Sequence, residues 1–113
     1  MIKIYHHPRC RKSREALAIL EKSNKKFEIV RYLDDIPSEE TLTEIIKLLG
    51  ITPIQLVRKT ESIWKEHFKG KELSDAEIIK AMIQNPKLIQ RPIVINNNKA
   101  VIGRPQENII SII

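Results

Sequence analysis

Cys10 is the one cysteine of the chain, and it stands in the run Tyr5-His-His-Pro-Arg-Cys10-Arg-Lys-Ser13-Arg14. A thiol acts as nucleophile or redox group in its thiolate form, so its use depends on whether the surroundings favour negative charge. Ile2, Ile4 and Tyr5 predict a strand over Ile2 to His6, His7-Pro8 interrupts it, and a helix is predicted from Arg11. Cys10 therefore falls at a strand-loop-helix junction, beside the first turn of the helix. Unpaired N–H groups and the helix dipole stabilise an anion there, lowering a cysteine pKa from about 8.5 to between about 3.5 and 7.5. Arg9, Arg11, Lys12 and Arg14 are expected to push the same way. Ser13 stands where a Cys-x-x-Cys motif has its resolving thiol; its hydroxyl can hydrogen-bond the thiolate but cannot form a disulfide. The site is thus monothiol, and any redox role must borrow a second thiol. His6 can tune the sulfur or serve as an ordinary structural hydrogen-bonding residue.

The rest of the composition narrows the setting. At 113 residues the chain fits a single domain, residues 1–113, with an aliphatic core, since 42% of residues are hydrophobic and only 4% aromatic. One cysteine excludes an internal disulfide framework and a multi-thiolate zinc site, and a lone thiol suits a reducing cytoplasm, where the protein is expected to work. No metal and no bound cofactor are expected. No signal-peptide core opens the chain and no apolar run approaches the roughly 18 residues of a membrane span, so no membrane role is expected. The formal charge is +6, and residues 1–31 carry all of it, with nine Lys or Arg against three Glu. Such a field suits an oxyanion or an acidic partner. Nucleic acid is disfavoured, because the few aromatics are not interleaved with the basic residues and no reading helix is evident. With no long exposed apolar stripe, a monomer is expected.

The elements that must position Cys10 follow from patterning. Ala16, Leu17, Ile19 and Leu20 give the helix Arg11 to Asn24 its apolar face, and Phe27, Ile29 and Leu33 mark a second strand, so the opening reads βαβ with a right-handed crossover. Ser38, with Glu39 and Glu40 behind it, caps a helix that Gly50 stops. Thr52-Pro53 starts a short helix through about Lys59, Glu61 to Phe68 forms another, and Ser74-Asp-Ala-Glu77 is a capping box for one closed by Asn85-Pro86. Trp64 and His67 read as packing residues. Ile93-Val-Ile95 and Ala100-Val-Ile102 form a hairpin through Asn96-Asn-Asn98, and Pro105 begins a terminal helix. The order βαβ, helices over about 38–85, ββα is compatible with an α/β fold, a thioredoxin-like mixed four-stranded sheet carrying a helical insertion.

The run from Tyr5 to Leu17 resembles the opening of the glutaredoxin-dependent arsenate reductases, the ArsC family, whose relatives include the Spx regulators. Leu56-Val-Arg58-Lys59, Leu88-Ile-Gln-Arg91-Pro92-Ile-Val94 and Gly103-Arg104-Pro105 stand, in order, where that family has its three oxyanion-binding arginines. The resemblance spans essentially the whole chain. It implies the thioredoxin-like fold, a cis bond before Pro92, Cys10 as catalytic thiolate, and Arg58, Arg91 and Arg104 as the clamp for arsenate or a similar oxyanion, with His6 and Ser13 in support. Glutathione is implied as co-substrate and glutaredoxin as partner, reducing arsenate to arsenite through a Cys10 adduct. Planar guanidinium groups suit such an anion, since they meet adjacent oxygens through paired charge-assisted hydrogen bonds.

Plainer readings stand beside these. Arg58 can extend past its apolar helix face to solvent, and Arg91 and Arg104, each before a proline, can serve ordinary surface ion pairs. Two other functions remain open: an Spx-like regulator binding RNA polymerase, and a glutaredoxin-like enzyme that removes glutathione from mixed disulfides. Ser13 in place of a second cysteine, together with Arg104, favours an enzyme over the regulator. A phosphatase-like arsenate reductase is disfavoured because its Cys-x5-Arg loop needs arginine where Ala16 stands. Better-known arsenate reductases of this type run on past the last helix, and the contribution of that extension is expected to be missing.

Overall fold

Ile2, Ile4 and Tyr5 are buried and Lys3 is exposed along the first strand, β1 (Ile2–Tyr5). The computed structural model describes all 113 residues, and the chain divides into two units, residues 1–35 with 91–113 and residues 36–90.

In the first unit β1 is an inner strand of a four-stranded sheet in the order β2-β1-β3-β4. It pairs in parallel with β2 (Phe27–Val30), placing Ile2 opposite Phe27, and antiparallel with β3 (Ile93–Asn96), placing Ile4 opposite Val94. β3 in turn pairs antiparallel with β4 (Lys99–Ile102). This is the mixed sheet of the thioredoxin-like fold. Between β1 and β2 runs helix α1 (Arg11–Lys22), burying Ser13, Ala16 and Leu20. It ends two residues earlier than its pattern suggests, where the Ser23 hydroxyl donates to the Leu20 carbonyl at 2.6 Å and Asn24 takes a left-handed φ of 59°. A short terminal helix, α5 (Glu107–Ile110), follows β4. Ile2, Ile4, Ala16, Leu20, Val94 and Ile109 form the core of this unit. Burying each large aliphatic side chain among them contributes about 1.5–3 kcal/mol.

Two further boundaries, both in the sheet, differ from the sequence pattern. β2 stops at Val30 rather than reaching Leu33, because the Arg31 carbonyl accepts from the N–H groups of Asp34 and Asp35, closing a turn with Tyr32 buried inside. Ile29 is 44% exposed, as an outward position on an edge strand allows. The hairpin turn is Asn97-Asn98 alone, since Asn96 pairs with Lys99 and Asn97 supplies the positive φ of 56° that a two-residue turn requires.

The second unit is helical. Helix α2 (Glu39–Leu49) is capped by the Ser38 hydroxyl oxygen, which accepts from the Thr41 N–H, and ends at Gly50 with φ 68°. Leu42, Ile45 and Ile46 form its buried face. Thr52-Pro53 opens a 3-10 turn, Pro53–Leu56, shorter than the expected helix, because Val57 leaves it to bridge Ile89 antiparallel. Helix α3 (Ser62–His67) buries Trp64, which stacks on Phe68 at 5.5 Å. The capping box of Ser74 and Glu77 starts α4 (Asp75–Gln84), which buries Ile78, Ile79, Ala81 and Met82.

Candidate active site

The polypeptide reaches Cys10 from the end of β1 through a loop tied at several points. The His6 N–H donates to the Val30 carbonyl at 2.8 Å, the Cys10 N–H donates to the His7 carbonyl at 3.0 Å, and the Arg14 guanidinium donates to the Pro8 carbonyl at 3.1 Å. Cys10 is the N-cap residue of α1, with extended backbone dihedrals, and its carbonyl accepts the first helical hydrogen bond from the Arg14 N–H at 3.0 Å. The sulfur thus lies against the positive end of the helix.

Two arginines from distant parts of the chain meet it there. Arg104, just beyond β4, donates from Nη2 to the Cys10 Sγ at 3.4 Å and from Nε to the Arg91 carbonyl at 2.7 Å. Arg91, just before β3, hydrogen-bonds the sulfur through its own guanidinium. The close approach of the two loops depends on Gly103, whose N–H donates to the Pro92 carbonyl at 2.8 Å. A Cβ on Gly103 would stand 2.9 Å from Pro92 Cγ. The peptide bond Arg91–Pro92 is cis, as the resemblance implied, and Arg104–Pro105 is cis as well.

Burial pushes the Cys10 thiol up, but the Ser13 backbone, the Arg91 hydrogen bond, the Lys12 backbone and the Arg91 charge together outweigh it and bring the pKa down from 9.0 to about 7. About half the sulfur is thiolate at neutrality. The local cations contribute less than their spacing suggests. Arg11 and Lys12 both pair with Glu15, at 3.2 and 3.7 Å, and Arg14 is engaged with the Pro8 carbonyl. Lys12 acts on the sulfur through its backbone N–H, a role its place in the first helical turn could have indicated. Ser13 also acts through its backbone, while its buried hydroxyl oxygen accepts from the His7 N–H at 3.4 Å. His6 is buried; desolvation, then the charges of Arg31 and Arg14, hold its pKa below 6.5 against an opposing Ser13 backbone hydrogen bond, so the ring is neutral at pH 7.

Among the residues singled out by sequence, the first unit brings Cys10, Ser13, Arg91 and Arg104 together. Arg58 belongs to the second unit, where its N–H donates to the Leu88 carbonyl at 2.6 Å and its Nε lies 3.9 Å from Glu61 Oε1. The strand-like bridge between Val57 and Ile89 fixes its backbone. No group of three His, Cys, Asp or Glu side chains is placed to hold a metal ion. No helix is long and apolar enough to cross a membrane.

Alongside this site geometry, the sequence itself matches the ArsC family over residues 5–112. The chain belongs to the ArsC family. It is 43% identical to the arsenate reductase of Haemophilus influenzae, over 97% of each chain. It is also 43% identical to the uncharacterized protein YfgD of Escherichia coli K12, over 99% of this chain and 96% of that one. The solved structure of the arsenate reductase from Vibrio cholerae superposes with a TM-score of 0.94 at 40% identity, covering 99% of this chain and 97% of that one.

Proposed function

We propose that this ArsC-family protein is a cytoplasmic arsenate reductase that uses Cys10 as its nucleophile, glutathione as co-substrate and glutaredoxin as the regenerating partner. The observation that carries the reading is the meeting of the Arg91 and Arg104 guanidinium groups at a sulfur whose pKa lies near 7. Two planar cations at a helix N-terminus suit a tetrahedral oxyanion, and Arg58 is assigned the third clamp position on the strength of the family motif.

In this reading the Cys10 thiolate attacks arsenic, and one arsenate hydroxyl departs, taking a proton from solvent to leave as water. The sulfur–arsenic bond then breaks as a glutathione sulfur attacks the Cys10 sulfur. The bonding pair stays on arsenic, which becomes trivalent and leaves as arsenite, and Cys10 is left as a mixed disulfide with glutathione. Glutaredoxin, recharged by a second glutathione, takes the glutathionyl group and returns the free thiol. Ser13 is consistent with this route, because a chain with no resolving cysteine needs an external thiol at each reductive step. His6 is buried at the start of the loop ahead of the cysteine, where its backbone N–H donates to the Val30 carbonyl.

The test is arsenite formation by the purified protein with arsenate, glutathione and glutaredoxin. Turnover is expected from the unmodified chain, and Cys10→Ser should abolish it. A chain that forms no arsenite above the protein-free rate, yet strips glutathione from a glutathionylated peptide, would replace this reading with the deglutathionylating one.

A further inference from the structure

The loop that delivers Arg104 to the sulfur has an anchor of its own. Asn108, in α5, directs its side-chain Nδ2 at two carbonyl oxygens, that of Ile102 at 3.2 Å and that of Arg104 at 3.5 Å, and its backbone N–H donates to the Pro105 carbonyl at 3.1 Å. Both side-chain neighbours are acceptors, so the amide presents its two N–H donors to them. Ile102 is the last residue of β4, so one half-buried side chain ties the end of the sheet to the backbone of Arg104 across the Gly103 bend. Arg104 itself is exposed, and its guanidinium is held by the Arg91 carbonyl and the Cys10 sulfur. A long exposed side chain keeps a single reach only if its Cα is fixed as well as its tip.

From this geometry we infer that Asn108 is a positioning residue for the thiolate site: its amide sets the backbone of Arg104 and thereby the aim of that guanidinium at Cys10 and at an oxyanion bound beside it. The inference rests on the reading of Cys10 and Arg104 as reacting thiol and anion-binding partner. Asn108 touches neither sulfur nor anion in this role. Its removal changes the site through Arg104 alone, and this separates it from a residue that merely supports the fold.

The experiment follows the alkylation rate of Cys10 by iodoacetamide against pH, and at pH 7 against increasing inorganic arsenate, in the full-length protein. The variants are Asn108→Leu, which keeps the shape and removes the donors, Asn108→Ala as a second deletion in case the first does not fold, Arg104→Ala, and the double variants. Loss of Asn108 is expected to lower reactivity at pH 7 about two- to threefold, by shifting the titration midpoint upward, and to raise the arsenate concentration for half-protection about fivefold. Arg104→Ala should do at least as much, and adding the Asn108 change to it should do nothing further. Unchanged midpoint and protection in both Asn108 variants would overturn the inference, as would effects that add in full to those of Arg104→Ala. If arsenate fails to protect even the unmodified protein, the arsenate reading falls, while the pH midpoint still decides the role of Asn108.

Discussion

Replacing Arg91 by Gln keeps most of the side-chain volume and removes the charge at the sulfur. Burial raises the Cys10 pKa; the backbone of Ser13, the Arg91 hydrogen bond, the backbone of Lys12 and the Arg91 charge lower it, with a net result of about 7 against an ordinary 9.0. Arg91 thus acts twice, and without its charge burial is opposed mainly by the two helix amides. An opposite charge at this range shifts a pKa by about one to three units, and the lower end suits a half-exposed sulfur that keeps its helix amides and Arg104. A rise of about one unit leaves about a tenth of Cys10 as thiolate at pH 7, where about half is thiolate now. The alkylation rate at pH 7 should therefore fall about fivefold, and the two proteins should converge by about pH 10, where both are ionised. Rates read by mass spectrometry across this range give the midpoint directly. Arg11→Gln is the matched control: Arg11 pairs with Glu15, so its midpoint should stay in place. A midpoint in Arg91→Gln equal to or below that of the unmodified protein would refute the reasoning, and so would an equal rise in Arg11→Gln.

Gly103→Ala sets a Cβ at 2.9 Å from Pro92 Cγ and 3.0 Å from Ile109 Cδ1, so it should destabilise the fold by about 1–3 kcal/mol in chemical denaturation; an unchanged midpoint would contradict the close packing of the two arginine loops. Cys10 also links stability to pH. Its folded pKa is depressed, so its contribution is complete above the unfolded value near 9 and is lost as pH falls through about 7. The stability difference between the unmodified protein and Cys10→Ser should grow in favour of the cysteine from pH 7 to 9, whereas a flat difference would mean the thiol does not ionise more easily when folded.

Much of the fold was legible because its signals are local. Ser38, Gly50 and the Ser74–Glu77 box each mark a helix end through side-chain-to-backbone chemistry within a few residues, and the structure places those ends accordingly. Cys10 as the N-cap of α1 was legible in the same way. The second strand was overextended because Leu33 keeps the apolar alternation after the Arg31 carbonyl has closed a turn, and periodicity carries no record of that competing hydrogen bond. Residue types near Cys10 were legible, but the ordering of their effects was not. Of the four nearby cations Glu15 engages two, and the guanidinium groups that reach the sulfur come from Arg91 and Arg104, eighty-one and ninety-four positions away. The family motif pointed to Arg91 and Arg104. The hydrogen bond from Arg104 to the Arg91 carbonyl, and the Asn108 amide behind it, depend on the path of two loops and on no spacing rule.

In the proposed route Cys10, held as a thiolate by the helix start and Arg91, takes arsenate and then hands its sulfur to glutathione. Whole-protein mass spectrometry after brief mixing with arsenate and glutathione, without glutaredoxin, tests this most directly. One glutathione per chain should appear on Cys10, only when both small molecules are present, and arsenite should be released in equal amount. Glutathione attached equally well in the absence of arsenate, or no attachment while arsenite accumulates, would contradict the account.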